Sequence, residues 1–172
     1  MGKAWRLPLL LLAAAGGAFL FRPETVLEFG NDVRGVVARY PVNPGDAFSI
    51  TYLHSIYRRP VVEEFSVGAG GNLVLTGVRS DSGAVLEYFG FGDSRPFHAM
   101  NRPMRRIVFR VAMEGAQTLT LGGRRISFLN LGDPGDRITL RLADVSMAAR
   151  GVGWAAQRMH RMQLFGSTWR RR

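Results

Sequence analysis

The chain has 172 residues, 23 Lys+Arg against 13 Asp+Glu for a net charge of +10, no cysteine, and 47% apolar residues. That apolar content, spread along the chain, excludes disorder as the main state. The lack of cysteine excludes a disulfide scaffold and any thiolate zinc site, nucleophile or redox couple, and a single long apolar run excludes a multi-pass membrane protein.

Residues 1–25 read as an export signal or a signal-anchor. Lys3 and Arg6 precede Leu7–Phe21, which is 15 residues without a charge, and Arg22-Pro23 closes the run. As a helix that run spans about 22 Å, short of a bilayer core of about 30 Å. Gly16, Gly17 and Ala18 supply small residues for cleavage, but no clean A-x-A motif precedes the body, so an uncleaved anchor stays open. A core helix would show a polar face, and this segment shows none. The positive-inside rule then places residues 23–172 outside the cytoplasm, exported to the periplasm or anchored at the inner membrane.

Residues 26–149 read as one β domain. Strands are predicted at Gly35–Tyr40, Ala47–His54, Val61–Val67, Leu73–Val78, Ala84–Phe89, Arg106–Met113, Thr118–Leu121, Ile126–Leu129 and Arg137–Leu142. Turn residues separate them, as at Asn43-Pro44-Gly45-Asp46, Asp81-Ser82-Gly83 and Asp133-Pro134-Gly135-Asp136. Gly supplies positive φ and Pro pre-sets φ, which is why such clusters punctuate strands. Gly122-Gly123 is the clearest two-residue hairpin turn. Gly90–Pro103 lacks a period and reads as a long loop. Short strands with turns at this spacing predict an all-β fold, a single antiparallel β-sandwich of immunoglobulin-like size.

Residues 47–67, AFSITYLHSIYRRPVVEEFSV, carry the most information. With Ile56–Arg59 as the loop, Phe48 faces Val67, Ile50 faces Phe65, Tyr52 faces Glu63 and His54 faces Val61. All four pairs then lie on one side of the hairpin, which a one-residue slip would scramble. Tyr52, His54 and Glu63 gather at the loop end of the core face, where a carboxylate needs partners. The candidate site for a ligand or partner is Tyr52, His54, Ser55, Arg58, Arg59 and Glu63. A polar cluster that only pins the hairpin is the plainer alternative. No catalytic residue is assigned: His54 and Ser55 are strand neighbours pointing to opposite faces, so they form no nucleophile pair. One His with Glu63 and Glu64 is too small a ligand set for zinc, and no cofactor is indicated.

The pattern Tyr52-x-His54-Ser55 followed by Pro60-Val61-x-Glu63, with the later Ser82-Gly83-Ala84, resembles an uncharacterised bacterial family of small exported domains. Its members are often encoded beside, or fused to, membrane subunits of tripartite ATP-independent periplasmic (TRAP) transporters of the TAXI type. The similarity covers roughly residues 30–145. It implies an extracytoplasmic location and a transporter membrane subunit as partner. It implies no catalytic residue.

Other features read more plainly. His98 lies in the long loop with Arg95, Arg102, Arg105 and Arg106, as a surface loop or an anion- or partner-binding patch. Asp133–Asp136 lacks the ligand alternation of a calcium loop and reads as a turn. Gly68–Gly71 is not a phosphate loop, since no Lys-Ser/Thr follows.

Residues 150–172 hold six Arg and no acid, with Trp154, Phe165 and Trp169, the composition of an interfacial helix on a membrane surface. Residues 26–149, with 14 Arg against 12 acids, are only +2. A nucleic-acid-binding domain is expected to carry its excess on the folded body, so no nucleic-acid partner is expected. Together these features predict a membrane-tethered, non-enzymatic accessory of a membrane transporter. The alternative is a periplasmic binding module for a small anionic ligand, using Arg58, Arg59 and the His98 loop. A reporter that works only outside the cytoplasm, fused after residue 172, is expected to be active. Activity from a cytoplasm-only reporter at that position would overturn the orientation.

Overall fold

A computed structural model describes residues 21–113 and 117–146. Ten strands follow in order: β1 (Pro23–Asn31), β2 (Gly35–Pro41), β3 (Ala47–Leu53), β4 (Pro60–Val67), β5 (Leu73–Arg79), β6 (Phe97–Met104), β7 (Arg106–Arg110), β8 (Thr118–Leu121), β9 (Arg124–Ser127) and β10 (Arg137–Ser146). A short helix, α1 (Gly83–Tyr88), separates β5 from β6, and a 3-10 turn covers Phe128–Asn130. The strands form a four-stranded sheet, β2-β1-β10-β7, and a six-stranded sheet, β6-β5-β4-β3-β8-β9. The domain is therefore an all-β sandwich built from antiparallel hairpins. The N-terminal segment and the tail predicted from sequence lie outside the described residues.

The chain divides into two compact units, Val26–Ala143 and Met1–Thr25 with Asp144–Arg172. In the second, the Thr25 hydroxyl donates to the Asp144 carboxylate at 2.8 Å. The first holds the core. Leu27, Phe29, Phe48, Ile50, Phe65, Leu119, Ile138 and Leu140 are all buried there, and the Phe48 and Phe65 rings stack at 5.1 Å. Inward and outward residues alternate along β3, β4, β7 and β10, as the two-residue strand period requires.

Most predicted strands are present. The Gly122-Gly123 hairpin forms with both glycines at positive φ, 53° and 76°, the geometry of a type I′ turn. Asp133–Asp136 is a turn, in which the Asp136 carboxylate accepts from the Asp133 N–H and the Asn31 side chain.

Four expectations are corrected. The strand expected at Ala84–Phe89 is instead α1, with Phe89 as its C-cap. Val85 and Leu86 are buried side by side while Glu87 and Tyr88 are exposed, a helical pattern too short to show its period in sequence. Gly90–Pro103 is not all loop, because β6 starts at Phe97; β6 is an edge strand, which tolerates Pro103 without a ladder N–H. The strand expected at Ile126–Leu129 ends at Ser127 and tightens into the 3-10 turn, and that expected at Arg106–Met113 ends at Arg110.

β1 was not expected either. Val26, Leu27, Glu28 and Phe29 are all buried, so the sequence does not alternate. Glu28 explains why. Burial pushes its carboxyl up, but hydrogen bonds from Arg141 and Arg39 outweigh this and hold it below the usual range. The Arg141 and Arg39 guanidinium groups lie 2.6 and 2.8 Å from its two oxygens. A charge is buried at this strand because both neighbouring strands supply its partners.

One glycine sets a close approach. Gly77 sits at irregularities in both pairings of β5, and a Cβ there would lie 2.4 Å from the Phe97 ring. The Arg79 guanidinium caps that ring at 4.8 Å from its centroid. Gly77→Ala is expected to lower stability by about 1–3 kcal/mol through overpacking. In a Phe97→Ala background the same substitution should cost little. Urea unfolding of the double-mutant cycle checks this.

Candidate functional site

The site is built on the β3–β4 hairpin. Its register pairs Phe48 with Phe65, Ile50 with Glu63 and Tyr52 with Val61. The expected register, with Tyr52 opposite Glu63 and His54 opposite Val61, is corrected by two residues. The cause is a one-residue displacement of the tip. The backbone closes between His54 and Arg59, with His54 N–H to Arg59 C=O at 2.9 Å and Arg58 N–H to His54 C=O at 2.8 Å. The four tip residues are thus Ser55–Arg58, and Arg58 takes a left-handed φ of 53° to complete the turn. A shift of two preserves parity, so Phe48, Ile50, Tyr52, Val61, Glu63, Phe65 and Val67 keep their predicted face, while His54 leaves the strand.

Tyr52 and Glu63 meet across the strands as a diagonal pair. The Tyr52 hydroxyl donates to Glu63 Oε1 at 2.8 Å. Glu63 is flanked by Ile50 on β3 and Val78 on β5, both fully buried. Burial raises the Glu63 carboxyl above its usual range, and the Tyr52 hydrogen bond only partly offsets this. Burial, with the nearby Glu63 charge, likewise raises the Tyr52 phenol, so Tyr52 is a donor here and not a base. Its ring meets Phe109 of the opposite sheet edge-on at 6.3 Å.

His54 goes elsewhere. β3 ends at Leu53, and the buried His54 ring packs on Tyr57 at 5.2 Å and Tyr88 of α1 at 4.7 Å. Its Nδ1 accepts long hydrogen bonds, 3.4 Å each, from the N–H groups of Ile56 and Tyr57. The imidazole fastens the tip, on which Ser55 is exposed. Arg59 is held by Asp81, with Nη2 at 2.5 Å from Oδ2. The Ser80 hydroxyl donates to the Pro60 C=O at 2.9 Å, tying the approach to α1 onto the hairpin base.

These contacts leave an exposed apolar surface on a rigid support. Leu53, Ile56, Tyr57 and Tyr88 are 38%, 66%, 41% and 63% exposed. Tyr57 and Tyr88 both touch the His54 ring. Tyr88 is absent from the sequence-level site because it comes from α1, a segment read there as a strand.

Two of the arginines of the anionic-ligand alternative are engaged by carboxylates. Arg59 is ion-paired with Asp81, and Arg95 with Asp93 at 2.9 Å. His98 is not in a surface loop: it lies in β6, buried, stacked on Phe91 at 3.9 Å with Nε2 3.3 Å from Asp93. A separate open cleft of about 400 Å³ is lined by Tyr40, Asp46, Leu121 and Arg124. It escapes the sequence because its walls come from β2, the β2–β3 turn and the β8–β9 hairpin. Among the described residues no three His, Asp or Glu side chains group to hold a metal ion.

Because the Glu63 carboxyl is raised on folding, the native state favours its neutral form. This contribution is full below the ordinary carboxylate range and is lost as pH rises through the raised value. Glu63→Gln keeps a partner for Tyr52 and removes the buried charge, so its stability relative to the parent should improve from pH 4 to pH 8. Glu63→Ala should cost about 1–3 kcal/mol by stranding the Tyr52 hydroxyl. Urea midpoints across that pH range check both.

No family model, no curated protein and no solved structure matches this chain.

Proposed function

We propose that this protein is an extracytoplasmic, membrane-tethered and non-enzymatic accessory of a membrane transporter, docking on the transporter's membrane subunit through the β3–β4 tip. One observation carries the proposal. The residues that resemble the exported, TAXI-associated TRAP family converge on one place in the fold. Tyr52 bonds Glu63, Ser80 ties onto Pro60, and His54 packs on Tyr88 of the helix that opens at Gly83. Around them stand Leu53, Ile56, Tyr57 and Tyr88, an exposed apolar cluster with the Arg59–Asp81 pair at its rim. Apolar clusters with polar rims suit protein contact. The contacts of His54, Ser80 and Arg59 hold that surface in shape, which limits the entropy lost on docking.

The Leu7–Phe21 segment behind Lys3 and Arg6 supports the location. Tyr52 and Glu63 support the tip from inside, while Ser55 and Arg58 stand on it.

Full-length tagged protein, extracted with its own membranes in mild detergent, should retain a multi-spanning permease identifiable by mass spectrometry. Ile56→Asp, at a side chain 66% exposed, should lower that retention sharply while leaving the unfolding transition nearly unchanged, and adding Tyr88→Asp, at a ring that also packs on His54, should abolish it. Equal retention by the double variant would overturn the docking surface.

A further inference from the structure

The near-neutral charge of the body conceals a segregated one. In the four-stranded sheet, Ile107, Ile138 and Leu140 point into the core. The alternate residues of β7 and β10 therefore share the outer face. The register sets Arg106 directly opposite Arg141, and Arg110 directly opposite Arg137, with Val108 opposite Thr139 between them. On the far side of β1, Arg39 joins the same face, opposite Glu28. The face thus carries five arginines. Glu28 is shared by Arg39 and Arg141, and Asp32 stands 3.7 Å from Arg137. Among the described residues, Arg106 faces Arg141 and no acid, and Arg110 reaches the Gly135 C=O at 3.4 Å.

Like charges directly opposite on a sheet destabilise it. Two such pairs in a single pair of strands point to an external anion that offsets them. The exposed surface is the β7–β10 side of this face, not a pocket, and Val108, 47% exposed, stands between the two arginine pairs on the edge strand β7; towards β1 the same face is buried at Val26 and Glu28. We infer that this face rests on an anionic lipid surface. The chemistry is guanidinium to headgroup phosphate, with Val108 at the headgroup level.

Lipid is favoured over an acidic protein by where the strands lead. β1 receives the chain from the uncharged Leu7–Phe21 run, and β10 delivers it to residues 150–172, with six Arg and two Trp. Those two strands are neighbours at the centre of this same sheet. The inference rests on the membrane-tethered reading and adds the surface by which the body meets the bilayer.

The chain has no cysteine, so a single introduced one labels cleanly. Full-length Val108→Cys carries a spin label and is reconstituted into nanodiscs containing a nickel-chelating lipid. Relaxation of the label by nickel is expected in phosphatidylglycerol discs, with loss in phosphatidylcholine discs and at high salt. A label at Arg125→Cys, on the outer face of the other sheet, should show none.

Adding Arg106→Glu and Arg110→Glu should abolish the signal while raising the unfolding midpoint, because each Glu then faces an arginine. A role confined to folding would not separate those two readouts. Chain retained in discs with no relaxation at residue 108, or relaxation indifferent to lipid charge, overturns the inference and leaves the tether standing. Chain not retained in discs overturns both. Immobilisation of the label by polyglutamate but not by phosphatidylglycerol discs overturns it in favour of an acidic protein.

Discussion

A carboxylate faces inward on the six-stranded sheet, with hydrocarbon directly beside it on both neighbouring strands. Glu63 lies between Ile50 and Val78, and water reaches it only in part. The Tyr52 hydroxyl is the group that makes this position tolerable. The pair therefore constrains the hairpin. Any slip of one residue would send Tyr52 outward and leave Glu63 against Phe109 and the core with no donor. Register, tip geometry and the position of His54 follow from it. With Tyr52 fixed inward, Leu53 is the last outward strand residue and His54 turns into the tip, against Tyr57 and the helix.

The sequence disclosed what depends on parity and hid what depends on count. Phe48, Ile50, Tyr52, Val61, Glu63 and Phe65 were legible as one face because alternation survives any even shift. The tip itself was misplaced by one residue. Arg58 adopts a left-handed backbone that its side chain does not advertise, where a glycine would have marked the turn. The helix Gly83–Tyr88 was hidden by its length, since less than two turns cannot show a 3.6-residue period. β1 was hidden by Glu28, whose burial makes four successive positions look alike. Tyr88 entered the site only with the fold, because nothing local links residue 88 to residue 54.

Charge teaches the same lesson in another form. Summed over the body, arginines and acids nearly cancel. The fold sorts them, placing Asp81 and Asp93 beside Arg59 and Arg95 at the loops and gathering other arginines on one sheet face. A total along the chain cannot reveal that sorting, because strand pairing brings residues 106 and 141 side by side.

Sheet edges are where sandwich proteins are most exposed to unwanted association, since their backbone groups are unpaired. Among the described residues, the edges are β2 and β7 of one sheet and β6 and β9 of the other. Arg106 and Arg110 stand on β7, Arg102 beside Pro103 on β6, and Arg124 and Arg125 on β9. Two copies approaching edge to edge would bring guanidinium rows together, and on β6 a proline would withhold a hydrogen bond. Strand addition between copies is thereby discouraged. Such edges keep each sandwich a closed unit, whose remaining contacts are made by faces and tips.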